Sequence, residues 1–91
     1  MRDKVILNVT LPATGKAYEF RVSFDLLAGQ AADLMASLLS SREGCRYVAP
    51  AAADLMYAQG SRAGELLEEG TSIWALVAAG ELVDGQELAL V

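Results

Sequence analysis

A chain of 91 residues with 54% apolar side chains and a net charge of −5 has the length and the apolar supply for one densely packed domain, read here as 1–91. Its seven basic residues (Arg2, Lys4, Lys16, Arg21, Arg42, Arg46, Arg62) are scattered, which argues against the clustered cationic surface that binding nucleic-acid phosphates requires. No stretch approaches the roughly 18–20 continuous apolar residues that cross a bilayer, which excludes a membrane-spanning helix.

The first element is a strand. Val5, Leu7, Val9 and Leu11 alternate with polar or outward positions at period two. Pro12 to Lys16 supplies turn chemistry, with Gly15 free to take a positive φ. Tyr18, Phe20, Val22 and Phe24 then alternate against Glu19, Arg21 and Ser23, so the pair reads as a β-hairpin with one apolar face. Asp25 is positioned to cap a helix. The spacing of Leu27, Ala31, Leu34, Met35 and Leu38 predicts an amphipathic stripe that should lie across the hairpin, with the helix running from about Gln30 to Ser40. Gly29 weakens its first turn by about 1 kcal/mol relative to alanine.

The third strand has two candidates, Cys45–Ala49 and Leu55–Ala58. The second is preferred because Gly60–Gly64 then makes a turn into a short strand at Glu65–Leu67. Thr71 is a suitable N-cap for a short helix whose stripe is Ile73, Leu76 and Val77 and whose end is Gly80. Asp84-Gly85 turns the chain into a last strand with Leu88 and Leu90 pointing inward.

This order resembles a ubiquitin-like β-grasp over nearly the whole chain. The residues that carry the resemblance are Leu55-Met56-Tyr57-Ala58, Leu67-Glu68-Glu69-Gly70-Thr71 and Asp84-Gly85-Gln86-Glu87-Leu88-Ala89-Leu90-Val91. The resemblance implies an α+β fold, a mixed four- to five-stranded sheet packed on one main helix plus a short second helix. The ending from Ala79 to Val91, together with Arg42-Glu43-Gly44, is similar to bacterial ubiquitin-like proteins of the YukD/EsaB type and to the N-terminal domains of EccD. Both belong to type VII secretion systems. Extra residues between Val48 and Asp54 and between Thr71 and Gly80 depart from that pattern.

Little in the chain invites catalysis. It has no histidine, the commonest general base and metal ligand. The lone Cys45 lacks a base to activate it, cannot close an internal disulfide, and fits a reduced cytoplasmic compartment, as does an N-terminus without an apolar leader. The carboxylates Glu68, Glu69, Asp84 and Glu87 read as turn residues, and Gly60–Gly64 lacks the lysine of a phosphate loop. The expectation is a non-enzymatic protein without cofactor or metal.

What remains is protein binding. Ubiquitin binds partners through an apolar patch on the outer face of its sheet. The resemblance places the corresponding third-strand and last-strand positions on Met56 and Val91, with Ala89 beside them. Alternation also puts Met56 and Val91 on the solvent side, opposite Leu55, Tyr57 and Leu90. A competing reading has Met56 covered by the Cys45–Ala53 loop. Trp74 reads first as a partly buried cover over one end of the core, with a role as a binding aromatic as the second reading. The partner implied is a protein, such as a membrane component of the secretion system; pairing of an edge strand with a second copy stays open. Two alternatives stand beside this reading. One is a small non-catalytic β-grasp subunit of a multicomponent enzyme. The other is a sulfur carrier or modifier, which the ending on Val91 in place of a Gly-Gly tail disfavours.

Overall fold

A computed structural model describes residues 3–12, 14–43 and 53–91. The period-two segments form β1 (Lys4–Leu11) and β2 (Lys16–Ser23), paired antiparallel from Lys4 opposite Ser23 to Leu11 opposite Lys16. The connection is tight because Gly15 adopts a φ of 72°, which a side chain would strain, and sends its N–H back to the Leu11 carbonyl at 2.8 Å. The remaining elements are α1 (Ala28–Glu43), β3 (Leu55–Tyr57), α2 (Ile73–Ala78) and β4 (Gln86–Leu90).

The four strands make one sheet in the order β2-β1-β4-β3. β4 enters the middle, parallel to β1 and antiparallel to β3. Joining the first and last strands in parallel requires a long crossover, and α1, β3 and α2 all lie within it. Segment 65–67 runs beside β3 but forms only one bridge, Met56 opposite Leu66, flanked by Leu67 N–H on the Leu55 carbonyl at 2.8 Å and Tyr57 N–H on the Glu65 carbonyl at 2.9 Å. The third strand is thus the Leu55 candidate; Cys45–Ala49, and Cys45 itself, lie outside the described residues.

Val5, Leu7, Val9 and Leu11 are completely buried, as their alternation requires, and Leu55, Tyr57, Leu88 and Leu90 extend that face across the sheet. Each such leucine or valine removed from water contributes about 1.5–3 kcal/mol. On β2 only Val22 is fully covered, while Tyr18 and Phe20 stay half-buried, because β2 is an edge strand.

The helix stripe differs from its expected set. Ala28, Ala31, Ala32, Met35, Ala36 and Leu39 are buried, whereas Leu34 and Leu38 are each 55% exposed and Leu27 is exposed too. The buried positions still follow i, i+3, i+4, i+7, i+8 and i+11, so the periodicity is helical but rotated toward the alanines. Small side chains let the helix approach a sheet whose own leucines and valines fill the space; a spacing read from leucines alone selects the flank.

The caps also shift. α1 begins at Ala28 rather than Gln30 and continues beyond Ser40 to Glu43. Asp25 does not cap it. Leu27, immediately before the helix, donates its N–H to Gln30 Oε1 at 2.9 Å, the returning half of a capping box. The first helical N–H groups are satisfied by a distant turn, Ala28 on the Thr71 carbonyl at 2.8 Å and Gly29 on the Glu69 carbonyl at 3.0 Å. For α2 the N-cap is Ser72, whose hydroxyl accepts from Ala75 N–H at 3.1 Å, with Thr71 one position too early. Ala79 closes that helix and Gly80, at φ 76°, turns the chain away.

Candidate functional site: an apolar row across the outer sheet face

Strand pairing dictates which outward side chains meet. Leu66 lies opposite Met56, Met56 opposite Ala89, Ala89 opposite Thr10 and Thr10 opposite Ala17, which makes one continuous row across the outer face. The next row carries Glu87, Asn8 and Glu19, so the apolar end of the face is bordered by polar groups. Val91 shares the side of Ala89, two residues on, and its backbone is fixed by reciprocal bonds with Asp54, each 2.9 Å.

The exposures refine the expected patch. Val91 is 45% exposed and Met56 is half-buried, so both reach solvent from the side alternation assigns them. Ala89 does not: it is only 7% exposed. A methyl group between Met56 and Thr10 sits below its taller neighbours and serves as the floor of the patch. Leu66, 53% exposed beside Met56, is a member that sequence reasoning missed. Its signal was present, since Leu66 follows the inward-outward alternation with Leu67, which is buried.

Trp74 belongs elsewhere. It is 56% exposed and covers the core only in part, through Phe24, which itself packs against the core. Its ring lies 5.3 Å from that of Phe24, tilted by 44°, and its backbone N–H donates to the Phe24 carbonyl at 3.2 Å. Phe24 bonds to Asp3 at one end of β1, while Ala89 pairs with Thr10 near the other end. Seven residues of strand separate the two levels, roughly 23 Å. The four named residues therefore form one patch and one remote aromatic.

A polar clamp holds β3 in place behind the patch. The buried Tyr57 donates its hydroxyl to the Glu81 carbonyl at 3.1 Å, and the Arg62 guanidinium lies 4.6 Å from the centre of the Tyr57 ring. Arg62 also pairs with the Glu81 carboxylate and, at 3.5 Å, with Glu65. Burial pushes the Tyr57 phenol above its ordinary pKa, with the Arg62 charge partly opposing it. The hydrogen bond to Glu81 raises the Arg62 value in turn.

Glu68, Glu69 and Asp84 lie at turns as expected, whereas Glu87 sits on β4, opposite Asn8. Glu68 and Glu69 are exposed, and the Asp84 carboxylate accepts from Ile6 N–H at 3.0 Å, tying the last turn to β1. Among the described residues, no three Cys, Asp or Glu side chains gather as metal ligands. No described helix is long and apolar enough to cross a membrane.

Solved structures share this architecture. A chain of the MycP5-free ESX-5 inner membrane complex matches over 99% of this chain with a TM-score of 0.73 and 14% identity. This chain spans only 21% of the length of that one. A chain of the toluene 4-monooxygenase HD complex matches with a TM-score of 0.65 and 13% identity, covering 97% of this chain and 96% of that one. A ubiquitin-like domain from Arabidopsis thaliana matches with a TM-score of 0.61 and 13% identity, covering 99% and 78%. No protein-family model and no curated protein matches the sequence. At these identities the likeness concerns the fold, and the fold is ubiquitin-like: a mixed four-stranded sheet with one main and one short helix.

Proposed function

We propose that the chain is a non-catalytic, ubiquitin-like protein-binding module of a type VII secretion system, acting as YukD/EsaB-type proteins do in the cytoplasm. The observation that carries this reading is the apolar group of Leu66, Met56 and Val91, which reach solvent around the recessed Ala89 and are bordered by polar residues. Exposed aliphatic side chains around a flat, backbone-fixed floor suit contact with an apolar surface on another protein. The likeness to an ESX-5 chain and the resemblance of the ending supply the candidate partner.

A second reading has its own support. The match to the toluene 4-monooxygenase chain covers both chains almost completely, which favours a small subunit of a multicomponent oxygenase. Affinity capture from the native host separates them. Wild-type bait is compared with Leu66→Asp and Val91→Asp, two exposed positions where a carboxylate leaves folding intact. Recovery of a secretion-system component by wild type, lost with either variant, supports the first reading. Recovery of oxygenase subunits supports the second, and equal recovery by all three baits retires the patch.

A further inference from the structure

β2 is an outer strand of the sheet, and no described strand pairs with its far side. The hydrogen-bonding phase of that edge follows from the hairpin. Phe24 N–H donates to the Asp3 carbonyl at 2.9 Å, and antiparallel partners alternate, so the even-numbered residues of β2 bond toward β1. The backbone groups of Ala17, Glu19, Arg21 and Ser23 therefore point outward. This strand is eight residues long and contains no proline to blunt it. On its inner face lie Phe20 and Val22, and above them Leu34 and Leu38 of α1, each 55% exposed, overhang a groove of about 200 Å3.

We propose that this edge pairs with a second copy of the chain, β2 against β2, antiparallel about a two-fold axis through Phe20. Backbone and charge together select both the occupant and the register. An antiparallel ladder bonds outward-pointing residues to one another, which allows only every second register. An axis at Glu19 sets that carboxylate against its own copy, and an axis at Arg21 does the same with two guanidinium groups. An axis at Phe20 places Glu19 of each copy opposite Arg21 of the other, twice over. Phe20 then meets Phe20 on the inner face, Tyr18 meets Val22, and the leucine flanks of the two helices close over them. Two four-stranded sheets become one continuous sheet, and the apolar flank of α1 that the monomer leaves in water is covered.

Sedimentation of the full chain from about 1 μM to 1 mM tests this, together with Glu19→Arg, Arg21→Glu and the double exchange. Both positions are exposed, and circular dichroism verifies that each variant stays folded. Wild type is expected to dimerise with concentration. Each single variant creates two like-charge pairs and weakens dimerisation roughly 10- to 30-fold, and the double exchange restores it. Amide exchange at residues 17, 19, 21 and 23 slows in concentrated solution, while the even-numbered amides, already bonded to β1, keep their rates. A wild type that stays monomeric at about 1 mM overturns the proposal. So does a double exchange no tighter than the singles, or outward amides that exchange equally fast at both concentrations.

Discussion

Gly29 shows how a distant contact reverses a local preference. In a helix interior, alanine is about 1 kcal/mol better than glycine, so Gly29→Ala on an isolated helix is stabilising. Here a Cβ would sit 3.0 Å from the Glu69 Cβ and 3.2 Å from its carbonyl oxygen. Neither can retreat cheaply, because that same carbonyl accepts from Gly29 N–H, and the Thr71 carbonyl, two residues on, accepts from Ala28 N–H. Gly29→Ala is therefore expected to lower stability by about 1 kcal/mol or more in chemical denaturation. Tyr57 carries a pH dependence at the same scale. Burial raises its folded pKa, so the folded state holds the phenolic proton more tightly than the unfolded chain does. The associated stability is fully present below the unfolded value of about 10 and is lost as pH rises through it toward the folded value. Melting temperatures of wild type and Tyr57→Phe between about pH 8 and 11 check this. Wild type is expected to fall more steeply than the variant.

At the scale of the element, α1 separates periodicity from burial. Apolar residues occupy both the face that meets the sheet and the flank beside β2, so the helix was readable as amphipathic while its rotation was not. Only the sheet decides, by offering a close-packed surface that a face of mostly alanines, with Met35 and Leu39, approaches more closely than one of Leu34 and Leu38 would. The contrast has a direct consequence. Leu39→Ala, at a buried position, is expected to cost about 2–5 kcal/mol. Leu38→Ala, its exposed neighbour, should change the stability of dilute protein by no more than about 0.5 kcal/mol. Urea denaturation of the two variants distinguishes them, and equal losses would mean that the helix is rotated toward its leucines. Strand β3 teaches a related lesson. Alternation placed Leu55 and Tyr57 inward and Met56 outward, yet the strand is only three residues long and relies on Val91, segment 65–67 and the Arg62 clamp for its position.

For the whole molecule, local pattern and long-range pairing divide the account between them. The hairpin, the choice of Leu55–Tyr57, both helices, the final strand and the ubiquitin-like order follow from short-range physics. Period-two and helical spacing, glycines at positive φ and hydroxyls near helix starts act within a few residues, so a single sequence exposes them. The composition of the candidate patch was only half available on those terms. Met56 and Val91 carry their outward orientation in the alternation of their own strands. That Ala89 lies recessed between Met56 and Thr10, that Leu66 stands next to Met56, and that Trp74 lies at the opposite end of β1 depend on which strands become neighbours. The same holds for the cap that Glu69 and Thr71 provide to a helix some 40 residues earlier in the chain. The sequence by itself determined what each segment becomes, because hydrogen bonding and alternation are local. Tertiary structure alone decided which faces are covered and which side chains meet, because insertion of β4 beside β1 juxtaposes residues nearly 80 positions apart.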